Sequence, residues 1–150
     1  MKFLVILLSV VFLLSGSFFY IKLKYNDVPL STILNFDSNN LSTESKKFIE
    51  DLQFKDFKSA GKHSIPEHLK QYDMPSLIER LFQVKPEFLD IQRTKVLSVD
   101  KDSTGKRAKV NLETDIKILN TNELKKPNII LYWKKLDDDK WYLDLASSIK

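Results

Sequence analysis

Two histidines, one run of acids and a few strand carboxylates are the residues of this 150-residue chain whose types and spacing could do chemistry. His63 and His68 stand five apart with Pro66 between them. On a continuous helix that offset is roughly 140°, not the i, i+4 spacing that brings two imidazoles to one metal ion. They read as solvated loop histidines. Asp137-Asp138-Asp139 lacks the alternating acids, central glycine and distant glutamate of a calcium-binding loop, so it reads as a turn. Acid–base catalysis needs two titratable groups converging in a pocket. The strand acids Glu113 and Asp115 fall on outward positions of their pattern. Asp90 is the one acid with a route to an inner face, if Asp90, Gln92 and Thr94 line a polar patch, and Tyr132 is the further candidate for such a pocket.

The chain contains no cysteine and only three glycines. That removes disulfides, thiolate metal sites and a lipid-accepting cysteine, and no phosphate-cradling loop or nucleophile elbow is present. No catalytic residue, metal site or cofactor is therefore assigned. The formal charge is +4, but lysines and acids interleave and the basic pairs Lys46-Lys47, Lys125-Lys126 and Lys134-Lys135 are isolated. Nucleic acid is not an expected partner, because its binding calls for a basic stripe with aromatics. Attraction to an anionic membrane surface is the more economical use of a mild positive charge. Trp133, Tyr132, Trp141 and Tyr142 read chiefly as core and sheet-face residues, with Trp133 and Tyr142 as the candidate partner surface.

The stretch that decides where this chemistry would operate is Phe3 to Ile21, nineteen residues without a charge. As a helix it would be roughly 28 Å long, close to a bilayer core. Phe3, Leu8 and Phe12 lie along it, and Phe19 and Tyr20 with Lys22 and Lys24 look like an interfacial anchor. Ser15-Gly16-Ser17 is also a site that a signal peptidase accepts, so the segment reads as a signal anchor or, after cleavage near Ser17, as a signal peptide. The expected location is the cell envelope, as a single-pass membrane protein with an extracytoplasmic domain or as a secreted or periplasmic protein. Residues 1–21 are the signal, 22–41 a tether that partly packs, and 42–150 one folded domain.

Within the tether, Asp37-Ser38-Asn39-Asn40 has turn chemistry. Ser42 or Thr43 then caps a first helix carrying Phe48, Ile49 and Leu52 on one face. Asp56 caps a second that stops at Gly61, Ser64 with Glu67 has capping-box spacing, and Asp73 or Met74 caps a helix bearing Leu77, Ile78, Leu81 and Phe82. After Pro86 the period becomes two. Ala108, Val110, Leu112, Thr114, Ile116 and Ile118 alternate with charged and polar residues, the pattern of a half-buried antiparallel strand. Leu89 to Val99 precedes it through a Gly105 hairpin, Ile129 to Leu136 is a third strand and Trp141 to Leu145 a fourth. Helices followed by a four-stranded meander predict an α+β fold.

Two stretches carry a resemblance. Residues Phe48 to Ala60 resemble the first helix, break and Asp-aromatic second helix of the nuclear transport factor 2-like, or cystatin-like, superfamily, and Asp138 to Leu145 is similar to its acidic turn and Trp-led last strand. The resemblance covers roughly residues 43 to 145 and implies N-terminal helices packed on a curved four-stranded antiparallel sheet. It implies hosts of different kinds: isomerases and dehydratases with an acid or histidine in the cone, assembly domains of secretion systems, and toxin-neutralising proteins. The expectation is a non-catalytic protein-binding or assembly domain of the envelope, a secretion-system component or an immunity-type protein, with the membrane and another envelope protein as partners. The alternative is a small-molecule binding protein or enzyme using the cone pocket.

Overall fold

Strict alternation from Arg107 to Ile118 makes that segment the middle of the sheet. In the computed structural model, which describes residues 30–71 and 73–149, all six inward positions of this strand are buried and its outward ones are half-buried or exposed. The strands are β1 (Leu89–Lys101), β2 (Arg107–Ile118), β3 (Glu123–Lys125), β4 (Asn128–Lys135) and β5 (Trp141–Leu143). They form an antiparallel sheet in the order β1-β2-β4-β5, with β3 pairing the end of β2. The helices are α1 (Leu30–Gln53), α2 (Phe57–Lys62), α3 (Pro66–Gln71), α4 (Met74–Phe82) and the short turn α5 (Leu145–Ser148), with a 3-10 turn at Pro86–Phe88. This is an α+β fold with helices packed on an antiparallel sheet. The chain divides into two units, Met1–Asp37 and Ser38–Lys150, and the second holds the whole sheet.

Helix α1 buries Leu41, Ser45, Phe48, Ile49 and Leu52, an i, i+4, i+7, i+8, i+11 stripe. The four apolar ones join the sheet's inner face (Val110, Leu112, Ile116, Leu131, Trp133, Leu143) and Leu77, Ile78 and Phe82 of α4 in one core. At about 1.5–3 kcal/mol for each large apolar side chain, this contact dominates the domain's stability. The stripe also explains where the turn reading of Asp37 to Asn40 fails. Asn39 and Asn40 are exposed and helical, and the Thr43 hydroxyl donates to the Asn39 carbonyl at 2.9 Å, four residues back, instead of capping a helix start. Turn-forming residues are tolerated inside a helix when they face solvent and an apolar stripe continues past them.

Phe3, Leu8, Phe12, Phe19 and Tyr20, the residues expected to form the anchor, lie outside the described residues. Among the described residues no helix is long and apolar enough to cross a membrane.

Asp56 and Asp73 cap their helices as expected, accepting from the Ser59 and Ser76 backbone N–H at 2.9 and 3.0 Å. Those backbone bonds, helped by the serine hydroxyls, hold both carboxyls below the usual carboxylate range. Ser64 does not form the anticipated capping box. Its hydroxyl is buried without a partner, and the segment instead pairs with β5: Leu143 N–H donates to His63 O at 2.7 Å and Ile65 N–H to Leu143 O at 3.1 Å. The sheet edge beyond β5 is thereby closed. Gly61 does not end α2 either; the helix continues to Lys62. A methyl group there would meet Leu69 at 3.5 Å, ordinary contact, and the backbone is not left-handed. Gly61→Ala should therefore raise stability by about 0.4–1 kcal/mol, read as a higher denaturant midpoint.

The Leu119-to-Asn128 loop is shorter than the sequence implies, because β3 and β4 together follow one edge of β2 and Thr114 N–H donates to Pro127 O at the break. The fourth strand is cut short at Leu143. Asp144 accepts from the Ser147 N–H at 3.1 Å and starts α5.

Thr114 is wholly buried, and its hydroxyl and that of Thr94, its register partner on β1, have no hydrogen-bond partner. Burying an unsatisfied hydroxyl costs about 1–3 kcal/mol. Thr114→Val keeps the shape and removes that cost, so a gain of about 1 kcal/mol is expected in urea unfolding. A loss would mean that the hydroxyl is solvated inside the core.

Candidate functional site

The sequence groups Asp90, Gln92 and Thr94 as one inner stripe, and a β-bulge breaks it. Leu89 and Ile91 are buried opposite Ile118 and Ile116, the register then shifts between Ile91 and Arg93, and Thr94 resumes the inner face opposite Thr114. The extra residue is Gln92, which is exposed, and Asp90 lies outside opposite Lys117. Tyr132 stands opposite Lys109 on the same outer face. Lys109 and Lys117 are about 26 Å apart along β2 at ~3.3 Å per residue. Asp90, Gln92 and Tyr132 therefore form no common pocket, and the inner face they were assigned to is filled by core side chains.

Asp90 instead contributes to the surroundings of Lys55. Lys55 ends α1 in the left-handed region at φ 60°, with Lys55 N–H bonded to Leu52 O and Asp56 N–H to Asp51 O, a Schellman stop. Its ammonium donates to the carbonyls of Pro86, at 2.6 Å, and Leu89, tying the helix to the start of β1. Burial lowers the Lys55 pKa, and the charges of Asp90 and Glu87 oppose that shift. Lys55→Ala should cost about 1–2 kcal/mol, since it loses the tie and keeps the left-handed strain. Lys55→Gly should cost less than the alanine variant because it relieves that strain. The order of the two denaturant midpoints checks the assignment.

His63 is held at both ring nitrogens, whereas the buried Nδ1 of His68 has no hydrogen-bond partner among the described residues. The His63 side chain is only 15% exposed, with Nδ1 at 3.3 Å from Glu44 Oε2 and Nε2 at 3.1 Å from Asp51 Oδ2. One imidazole bracketed by a carboxylate at each nitrogen ties α1 to the segment after α2, and it cannot gather both acids on one metal ion. Among the described residues no group of three or more histidine or acidic side chains is arranged to hold a metal. His68 Nδ1 lies 3.7 Å from Asp144 Oδ1. Ser147 Oγ donates to Asp144 Oδ2 at 2.8 Å, so the serine has no imidazole base and the set is a helix cap rather than a nucleophile with its base.

The feature the sequence did not expose is on the outer face. Trp133 is not part of it: alternation turns it inward, 2% exposed, with Nε1 donating to Ser45 Oγ at 2.9 Å. Its neighbours Tyr132 and Lys134 take the outer row, and Tyr142 lies opposite Lys134. The Tyr142 hydroxyl donates to Asp138 at 2.8 Å, which raises the Tyr142 pKa and lowers that of Asp138. Arg107 and Lys134 face each other directly across the β2–β4 ladder, and neither makes an ion pair among the described residues. Other cations of this face do have an acid: Arg93 and Lys126 share Asp115, at 3.2 and 3.4 Å. Lys109 faces Asp100, whose carboxylate accepts from Ser98 and Asn111.

Beside this pair lies a groove of about 450 Å³, lined by Arg107, Ile130, Tyr132 and Lys134 on the strands and by Asp144, Ser147 and Ser148 at the C-terminal turn. The turn is fixed to the β4 edge: Tyr132 N–H donates to Ser148 Oγ at 3.0 Å, and Asp144 N–H to Tyr132 O at 2.7 Å. Sequence reasoning missed the groove because it arises from the β2–β4 register and from α5. The period-two pattern alone does say that Arg107 and Lys109 share one row of their strand, and Tyr132 and Lys134 one row of theirs.

The fold and this surface together define an α+β domain with a packed interior and a basic, tyrosine-bearing groove outside. Comparison with protein-family models and with curated proteins finds no match to this chain.

Proposed function

We propose that this domain is a non-catalytic protein-binding or assembly module of the cell envelope, carried by the apolar segment Phe3–Ile21 as an anchor or an export signal, with the folded part outside the cytoplasm. We place its helices-on-sheet arrangement with the nuclear transport factor 2-like superfamily, on the residues quoted above. The observation that carries the binding reading is the division of the sheet. Its inner face is closed by α1, with Leu41, Phe48, Ile49 and Leu52 essentially inaccessible, while its outer face leaves Tyr132 38% exposed beside two cations that make no ion pair among the described residues. A buried face stabilises; an exposed face with aromatic and arginine side chains is the kind that partners use.

Chemical cross-linking in intact envelope membranes, followed by purification of the full chain, tests this. A stoichiometric protein partner, lost when Tyr132→Ala and Lys134→Glu are combined, is the expected result. Recovery of the chain alone under conditions that capture known envelope complexes would overturn the reading.

A further inference from the structure

Resting on that binding reading, we propose that the groove between α5 and the outer row of β4 receives an acidic polypeptide segment in extended conformation. Its carboxylates would sit between Arg107 and Lys134, and its backbone would meet the free edge at Ile130.

Two independent features point to this occupant. The first is charge. Two cations directly opposed on a ladder repel each other by roughly 0.2–1 kcal/mol, and a carboxylate bridging them turns that repulsion into two charge-assisted hydrogen bonds. Of the acids around the pair, Asp144 is engaged by the Ser147 N–H and hydroxyl, Asp138 by Tyr142 and the Lys140 N–H, and Asp102 by the Thr104 hydroxyl and the Lys106 and Arg107 N–H groups, while Asp137, which lines an adjoining cleft with Arg107 and Lys134, makes no ion pair with either. They leave the Arg107–Lys134 pair for a group from outside. The second is the backbone. The N–H and C=O of Tyr132 both point away from β2, to Ser148 and Asp144. The β2–β4 register is unbroken from Asn128 to Lys134, so the N–H and C=O of Ile130, two residues earlier, point the same way. Strand β5 pairs only Trp133 to Lys135, and among the described residues no hydrogen bond reaches Ile130 on that side. A free donor and acceptor on one strand residue match the backbone of another strand, which neither a lipid headgroup nor a free anion supplies. Ile130 to Lys134 spans about 13 Å, the reach of four or five extended residues.

The test uses the full chain in neutral phosphatidylcholine nanodiscs and a fluorescein-labelled dodecapeptide of glutamate alternating with valine and tyrosine, read by anisotropy. Arg107→Glu with Lys134→Glu should weaken binding at least about tenfold. Ile130→Pro, which removes an N–H that β2 does not use, should weaken it several-fold with an unchanged melting curve; if that variant fails to fold, the charge reversal still decides. Phosphatidylglycerol vesicles and inorganic phosphate should not displace the peptide. Equal affinity of wild type and the charge-reversed variant would overturn the proposal, and so would displacement by the vesicles or by phosphate, which would make the groove a general anion site. Cross-linking of the same variants separates this from the wider reading. A partner captured equally by wild type and the charge-reversed variant leaves the binding reading standing and overturns the groove. Peptide binding that obeys the pattern above, with no partner captured, supports the groove while removing the binding reading.

Discussion

Replacing Trp133 by alanine is expected to cost about 3–5 kcal/mol, the range for truncating a large buried aromatic side chain. Against a total of about 5–15 kcal/mol for an ordinary domain, that is enough to leave a substantial unfolded population. The side chain is 2% exposed, lies opposite Ala108 and Leu143, and reaches across the core to Ser45 of α1. Trp133→Phe separates packing from polarity. It keeps most of the apolar area and leaves the Ser45 hydroxyl without its donor, so a cost of about 1–3 kcal/mol is expected, reduced when Ser45→Ala is added. Guanidinium unfolding followed by circular dichroism reads all three variants. A wild-type midpoint for Trp133→Ala would mean that the indole packs against nothing. The prediction also disciplines any binding experiment, because loss of partner capture by a Trp133 variant reports unfolding, whereas Tyr132 and Lys134, one residue to either side, report the surface.

That one-residue difference shows how far the sequence could be read. Where a strand alternates cleanly, as from Arg107 to Ile118, composition alone separates inside from outside, and all six inward residues are buried. In Tyr132-Trp133 both candidates are aromatic, and hydrophobicity cannot choose between them. The choice falls to the register with β2, which the turn at Asn122 (φ 55°) and the β3–β4 break determine. Asp90 fails for a related reason: a bulge adds one residue, and one residue exchanges the faces of all that follows. Turn chemistry misleads at Asp37 to Asn40 because those residues are only weakly unfavourable in a helix, by a few tenths of a kcal/mol each, against the large apolar stripe from Leu41 to Leu52. The groove required non-local pairing and a four-residue turn started by Asp144. Its cations were visible in the sequence, and their meeting was not.

The second large effect is expected at His63, which reads as a solvated loop residue in sequence and is a tertiary link in the fold. Glu44 and Asp51 are two turns apart on α1, and Phe48 between them meets the imidazole edge-on at 6.2 Å. A ring with hydrogen on both nitrogens can donate to both acids; with one hydrogen it serves only one. Lys47 at 2.9 Å balances Glu44 from the solvent side, while among the described residues no ion pair other than His63 reaches Asp51. His63→Ala therefore opens a gap against Phe48 and leaves two partly buried carboxylates without their common partner. The expected cost is about 2–3 kcal/mol, more than its single hydrogen bonds would give if exposed. Glu44→Gln with Asp51→Asn should by itself cost less, about 1 kcal/mol, because neutral amides carry a smaller desolvation penalty and still accept from the ring. Combining all three changes should then cost clearly less than the sum, with a coupling of about 1 kcal/mol. Additive midpoints would mean that the acids and the ring stabilise the fold separately and that α1 is held by its apolar stripe alone. A coupling of the stated sign would mean that the charged cluster also sets how α1 lies against the segment that closes the β5 edge, since the His63 carbonyl accepts from Leu143 in that same segment. The cluster would then support β5, whose Tyr142 lies opposite Lys134.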